Sequence, residues 1–509
     1  MTVTTPRKTI SWTRLLRGEL GLLAGSTVVA AITLLWPFSV RSDAVYWMLW
    51  GRELTQFTLD TGSGWTSWKP LPIPFTTVYS LFGDSAASAL WMLTSRAATF
   101  FAAVLVFRLV RRLTDQALKP IGIVSILPGV MGGLLAGLWT LRVLVGFTAL
   151  GYAEGLTLTF VLLAVERALE GKHKFALLFG LAACLSRPEP LALMMIYGLW
   201  LWFKQPALRK WLVAGPVFVV GAWLIPDWIG SGDPLRARYL GGVHRIDMHY
   251  PGDGKPLRMI KFAFTTLPTM AFYALPLGVI AALWQAKRKS FEPVALLGLA
   301  LTWVGLVAFE TAQGTNGLPR YMFGAQACLI IVSGFGVAVL VGLVAKALNK
   351  AGMPLEGALA IPVLTAMLAT GVFAQKVLYP RLAEVKSAQA KFAEADATLT
   401  DAINAAGGPK KVIACGPVSR FALFDPTIAW KLGETSSVLS YGGGPDDPNL
   451  DVQFKFGSTF RLYVPIGRRP LDAHIRSRIA PGARRVAEAG DWVVYQRCLK
   501  WRKRGAAKK

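Results

Sequence analysis

Five ionisable side chains stand at or beside the ends of long apolar runs, and their types suggest one chemistry. Asp43 follows the first run in "SDAVYWMLWGREL", and Lys69 closes the same intervening stretch in "WKPLP". Glu154 opens a later run in "LGYAEGLTL", Arg187 lies in "CLSRPEP", and Arg320 lies in "NGLPRYMF". A charge placed within a membrane-spanning segment costs roughly 2.5–3.5 kcal/mol near its centre, so such residues pair with one another or line a cavity. The three cations suit a phosphate at a membrane surface, where fixed positive charge also stabilises that phosphate as it leaves. A leaving group that is already anionic needs no general acid. One carboxylate is then enough to take the proton of an attacking hydroxyl. The chemistry expected is displacement at a sugar carbon bonded to a lipid-linked phosphate, in one step and with inversion.

The elements that must position these groups are expected to be membrane helices. The chain has 509 residues, of which 53% are hydrophobic and 17% charged. That charged fraction is well below the roughly 25% of soluble domains. Eleven apolar runs approach the length that crosses a bilayer: 21–38, 86–107, 121–140, 148–165, 175–189, 191–203, 212–229, 264–285, 293–310, 322–345 and 357–376. The net charge of +26 does not point to nucleic acid, because many basic residues fall in short clusters between the runs. Arg7, Lys8, Arg14 and Arg17 precede the first run; Arg108, Arg111 and Arg112 follow the second; Arg167, Lys172 and Lys174 follow the fourth. Every second junction is basic, which places residues 1–20 in the cytoplasm and the five ionisable groups outside. The expectation is a multi-pass protein of the cytoplasmic membrane, with its transmembrane domain over 21–376 and a first outer loop over 39–85.

Residues 377–509 read as a small extracytoplasmic α/β domain with a basic tail. "AEVKSAQAKFAEADATLTDAINAA" has the pattern of a helix, and "KVIACG", "VQFKF", "TFRLYVP" and "DWVVYQRC" have that of short strands. Cys184 and Cys328 lie in apolar runs and read as packing residues. Cys415 and Cys498 lie in the polar tail, where a disulfide is open if that region is outside the cell. Trp47, Trp50, Trp65 and Trp68 read chiefly as an interfacial aromatic belt, with sugar stacking as the alternative. His244, Asp247 and His249 lack a fourth zinc ligand, Asp233 in "GSGDPL" reads as a turn residue, and "GGGPDDPNLD" reads as a solvated turn.

The pattern resembles that of GT-C superfamily membrane glycosyltransferases, in particular lipid A aminoarabinose transferases and protein O-mannosyltransferases. The resemblance covers about residues 20–345. It sets Asp43 at the family's catalytic acid in the first outer loop, with Tyr46 and Arg52 following, and Lys69 of the Trp68-Lys69-Pro70 stretch at its phosphate-facing lysine. Glu154 falls at the second acid, Arg187 at a basic residue before a proline, and Arg320-Tyr321 at an "RY" pair before a long span. The resemblance implies a polyprenyl-phosphate sugar donor and a glycan, lipid or protein acceptor at the outer face of the membrane. Asp43 would act as base with Glu154 supporting it. Lys69, Arg187 and Arg320 would bind the donor phosphate, and Tyr46, Arg52, Trp68 and Tyr321 would line the substrate site. The first acid lacks the adjacent second acid that many members carry, so no metal ligand set is assigned and a divalent cation stays open. The reading from a different class is a transporter or flippase for lipid-linked sugars, or a non-catalytic membrane subunit. Internal two-fold repeats, which many transporters show, are not evident here.

Overall fold

The computed structural model describes residues 12–41, 43–63, 66–118, 126–238, 240, 254–416, 418, 425–438, 452–456, 461–462, 471–472 and 482–498. His244, Asp247, His249, Trp65 and the "GGGPDDPNLD" stretch lie outside those residues. The architecture is helical, with a small α/β unit at the C-terminal end. In chain order the helices are α1 Trp12–Thr33, α2 Asp43–Thr55, α3 Pro72–Ser80, α4 Asp84–Leu118, α5 Leu127–Ala149 and α6 Glu154–Leu169. They continue with α7 His173–Cys184, α8 Glu189–Lys204, α9 Arg209–Ser231, α10 Pro256–Thr265, α11 Thr269–Lys287 and α12 Glu292–Ala312. Next come α13 Phe323–Lys350, α14 Leu355–Phe373, α15 Tyr379–Ala405, α16 Pro409–Cys415 and α17 Asp425–Leu432.

Each of the eleven expected runs is largely helical, but seven helices among the described residues are long and apolar enough to cross a membrane by length and composition. The shortfall falls on the first, fourth, fifth and sixth runs. In the fourth, fifth and sixth, polar groups shorten the helices: Glu166 and Arg167 lie in the last turns of α6, and "RPEP" stops α7 and starts α8. Pro190 sits in the first turn of α8, where its missing N–H costs nothing. Helix α9 keeps much of its apolar surface exposed, with Val217, Phe218 and Ile229 facing outward. That suits a lipid-facing helix, since hydrocarbon is the solvent there.

At the centre of the bundle, α11, α13 and α5 touch through small residues. A Cβ at Gly336 would lie 2.2 Å from the Gly278 backbone nitrogen, and one at Gly132 would lie 2.4 Å from the Gly334 carbonyl oxygen. Close backbone approach through glycine is how apolar helices gain contact without a hydrophobic driving force between them.

The segment expected as a first outer loop is largely helical. It folds into α2 and α3, which pack together; a Cβ at Gly51 would meet Thr76 at 2.6 Å. Trp47 and Trp50 are fully buried and Trp68 is 3% exposed, which corrects the aromatic-belt expectation for these three. They form a core instead: Trp47 meets Trp91 edge-on at 5.6 Å, and Trp50 meets Trp68 at 5.5 Å. Sequence alone does not separate the two readings, because both need aromatic rings with polar N–H groups. Trp50 and Trp68 donate those N–H groups to the carbonyls of Asp60 and Ala222.

A helical run continues from Leu355 to Ala405, through a wider turn at Ala374–Leu378, and leads into the C-terminal unit. There β1 Val452–Phe456, β5 Trp492–Gln496 and β4 Arg484–Ala489 form an antiparallel sheet in that order, and β2 Arg461–Leu462 pairs with β3 Leu471–Asp472. "VQFKF" and "DWVVYQRC" are strands as expected. "KVIACG" is a correction, because residues Pro409–Cys415 form α16. Gly408 has positive φ and Pro409 starts the helix, and this start signal outweighs the β-prone Val-Ile pair. Cys415 and Cys498 are joined by a disulfide, while Cys184 and Cys328 are free and buried.

Candidate active site

Five segments bring the ionisable residues together, and backbone hydrogen bonds join four of them in two pairs. Arg41 N–H donates to the Leu150 carbonyl at 3.0 Å, tying the start of α2 to the α5–α6 turn. Leu71 N–H donates to the Leu185 carbonyl at 2.9 Å, tying the Lys69 stretch to the α7–α8 turn. The α5–α6 turn needs Gly151 at positive φ, and the Gly151 carbonyl accepts the buried Trp91 indole N–H at 2.8 Å. The fifth segment is the short 3-10 turn Pro319–Met322 before α13.

Both acids sit in the first turn of a helix, Asp43 in α2 and Glu154 in α6. Unpaired N–H groups and the helix dipole favour negative charge there. A close approach holds the second acid in place: a Cβ at Gly155 would lie 2.1 Å from the Thr99 hydroxyl oxygen.

The five residues converge. Arg320 donates to Asp43 at 3.3 Å and lies 3.9 Å from Glu154. Arg187 donates to Glu154 at 3.4 Å and to Glu189 at 2.6 Å. Tyr321 lies under both guanidinium groups, 4.6 Å from that of Arg187 and 5.8 Å from that of Arg320. Lys69 is 8% exposed, with its ammonium 5.0 Å from the Trp47 ring centre. No carboxylate among the described residues lies within ion-pair distance of it. Burial pushes the Lys69 ammonium down to about 8; Asp43 and Glu154 oppose the shift, while Arg187 and Arg320 add to it. One oxygen of Glu154, Oε2, is buried with no hydrogen-bond partner among the described residues.

The remaining expected lining residues divide. Trp68 precedes Lys69 and packs on Trp50, and Tyr46 is buried beside the same Trp50 at 5.8 Å. Arg52 is not brought to the cluster. Its guanidinium stacks on Trp430 at 4.5 Å and donates to the carbonyls of Trp430 and Glu434, so it docks the C-terminal unit onto α2. Arg41 does the same at the other end of α2, with Asp396 at 2.8 Å and the Phe392 carbonyl at 2.8 Å.

Two neighbours were not singled out from sequence. Glu189 grips Arg187 from within the same "RPEP" stretch, and the Tyr152 ring, from "LGYAEG", lies 5.1 Å from the Arg320 guanidinium. Adjacency to an already chosen residue was the available signal for both. Among the described residues no group of three or more His, Cys, Asp or Glu is placed to hold a metal ion. Asp233 caps a turn, accepting the Leu235 N–H at 2.8 Å.

No family model matches the chain, and no curated protein matches it. Among solved structures it is similar to the crystal structure of ArnT from Cupriavidus metallidurans bound to undecaprenyl phosphate. The likeness covers 95% of this chain and 98% of that one, at 14% identity and a TM-score of 0.43. ArnT is a lipid A aminoarabinose transferase, one of the families the sequence motifs resemble. At that identity and TM-score the likeness fixes no substrate for this chain.

Proposed function

We propose that the protein is a glycosyltransferase of the cytoplasmic membrane. It moves a sugar from a polyprenyl-phosphate donor to a glycan, lipid or protein acceptor of the cell envelope at the outer face. The observation that carries this reading is the convergence of Asp43, Lys69, Glu154, Arg187 and Arg320 from separate parts of the chain into one largely buried cluster.

The geometry supports the following roles. Among the described residues no carboxylate lies within ion-pair distance of Lys69, although Asp43 and Glu154 act on it from further away, and its ammonium stands ready for an anion. Arriving phosphate competes for Arg320, which now holds Asp43. Drawing Arg320 toward the phosphate releases the Asp43 carboxylate to act as base. The acceptor hydroxyl gives its proton to Asp43 as its oxygen bonds to the anomeric carbon. The bond from that carbon to the phosphate oxygen breaks, and its electron pair leaves with the phosphate, which Lys69, Arg187 and Arg320 stabilise. The unpartnered oxygen of Glu154 accepts from a second acceptor hydroxyl and orients it. Attack from the face opposite the phosphate inverts the anomeric centre.

The test is transfer by purified protein in detergent, with radiolabelled polyprenyl-phosphate sugars as donors and membrane lipid extract as acceptor. Asp43→Asn is expected to lower transfer by about 10²–10⁴-fold, the usual worth of a general base, and to keep donor binding. Saturable donor binding by both proteins with no transfer by the wild type would overturn the enzyme in favour of a transporter.

A further inference from the structure

A polar pocket on another side of Arg320 takes no part in the reaction above. It has a volume of about 130 Å³ and lies between α5, the start of α11 and the turn at Pro319. A buried water needs only about 10–15 Å³ of such space, so a multi-atom group fits. Its polar lining is Arg142, Thr266, Thr269, Arg320 and Gln326, with no carboxylate. Arg142 makes no ion pair with any described residue, and its Nε is buried without a partner. The Nε of Arg320 is also buried and unpartnered, while its terminal nitrogens are turned to Asp43 and Glu154. Arg381 and Glu384 of α15 act on Arg142 from a distance, but they are paired with each other at 2.7 Å. The N-terminus of α11 also opens here, at Thr269 after Pro268. Its first N–H groups have no partner within the helix and carry partial positive charge.

An intramembrane cation without a counter-charge marks a ligand site. We infer that this pocket is a second anion site, and that it takes a phosphoryl group held by Arg142 and Arg320 at the N-terminus of α11. Donors from two guanidinium groups, a helix end and the Thr269 hydroxyl outnumber the two oxygens of a carboxylate and suit the three terminal oxygens of a phosphate monoester; the Thr266 hydroxyl already donates to the Phe262 carbonyl. The phosphoryl group belongs either to a lipid headgroup or to free phosphate. The inference does not rest on sugar transfer, because its readout is binding alone.

The experiment uses the full chain in detergent. Binding of radiolabelled inorganic phosphate is measured at equilibrium, and retention of phosphatidic acid is measured by native mass spectrometry with diacylglycerol as the uncharged control. Wild type is compared with Arg142→Gln, Gln326→Glu and Lys69→Met. Arg142→Gln is expected to weaken phosphoryl binding at this pocket at least tenfold, Gln326→Glu to do the same by placing a negative charge in the pocket, and Lys69→Met to remove only the separate binding beside Asp43. Retention of phosphatidic acid without binding of free phosphate identifies a lipid headgroup, and binding of both in competition identifies a site open to either. Equal binding by wild type, Arg142→Gln and Gln326→Glu overturns the inference. So does loss of all binding in Lys69→Met, because the phosphate would then occupy the Asp43 cluster alone.

Discussion

Helix α6 begins in one polar cluster and ends in another, and the two are built on opposite principles. Its 16 residues span about 24 Å, so the two clusters stand well apart. At its C-terminal end four cations, Arg167, Arg108, Arg112 and Lys172, are each answered by a carboxylate. Arg167 is held by Glu19, by Glu166 at 2.9 Å and by Glu170 at 2.8 Å. Arg108 meets Glu166 at 3.0 Å, Arg112 meets Glu292 at 3.0 Å, and Lys172 meets Glu170 at 2.7 Å. This network ties α1, α4, α6 and α12 together and leaves its cations no free charge for a ligand. At the N-terminal end Lys69 has no ion-pair partner among the described residues, and Glu154 keeps an unused oxygen. Buried polar groups are normally satisfied, so a satisfied cluster reads as structure and an unsatisfied one as a place for a ligand.

The largest effect that could break this contrast is on stability. Arg167→Met leaves Glu19, Glu166 and Glu170 without their shared cation. Removing one partner of a buried network costs about 3–5 kcal/mol, so a thermal melt in detergent should drop sharply while donor affinity in the surviving folded fraction is unchanged. Lys69→Met should do the reverse. It should weaken donor binding by roughly tenfold to a hundredfold, the scale of about 1.5–3 kcal/mol for a charge-assisted hydrogen bond. It should leave the melting temperature unchanged or raised, because an unpaired buried cation is removed. If Lys69→Met unfolds the protein as Arg167→Met does, the two ends are alike and the contrast fails.

A smaller and graded effect comes from pH. With the Lys69 pKa lowered to about 8 from its ordinary 10.5, the folded protein has lost this proton where the unfolded chain still holds it. Stability therefore rises with pH between those values. Donor binding runs the other way, because the cation that meets the phosphate disappears, and affinity should weaken by up to about tenfold per pH unit above about 8. Donor titrations from pH 7 to 10, with Lys69→Met as the reference, should show the fall in wild type alone.

Much of this molecule was legible in the sequence. Apolar run length marked the helices because a membrane-spanning helix must satisfy its backbone internally and hide its polar groups. The same cost made each ionisable residue at a run's end conspicuous, and all five chosen on that ground meet in one cluster. Period-two patterning found β1 and β5. What the sequence left open is what depends on partners far away in the chain. Arg52 stood beside the site motif, yet its guanidinium serves Trp430 and Glu434. The basic residues after the second and fourth runs looked like solvated loop charges, yet Arg167 is buried among acids from other helices. A residue's type is set by its codon and its cost of burial by its chemistry, so sequence determined which groups must be compensated. Which group compensates which depends on distances of a few ångströms between segments remote in sequence, and only the tertiary structure decided that.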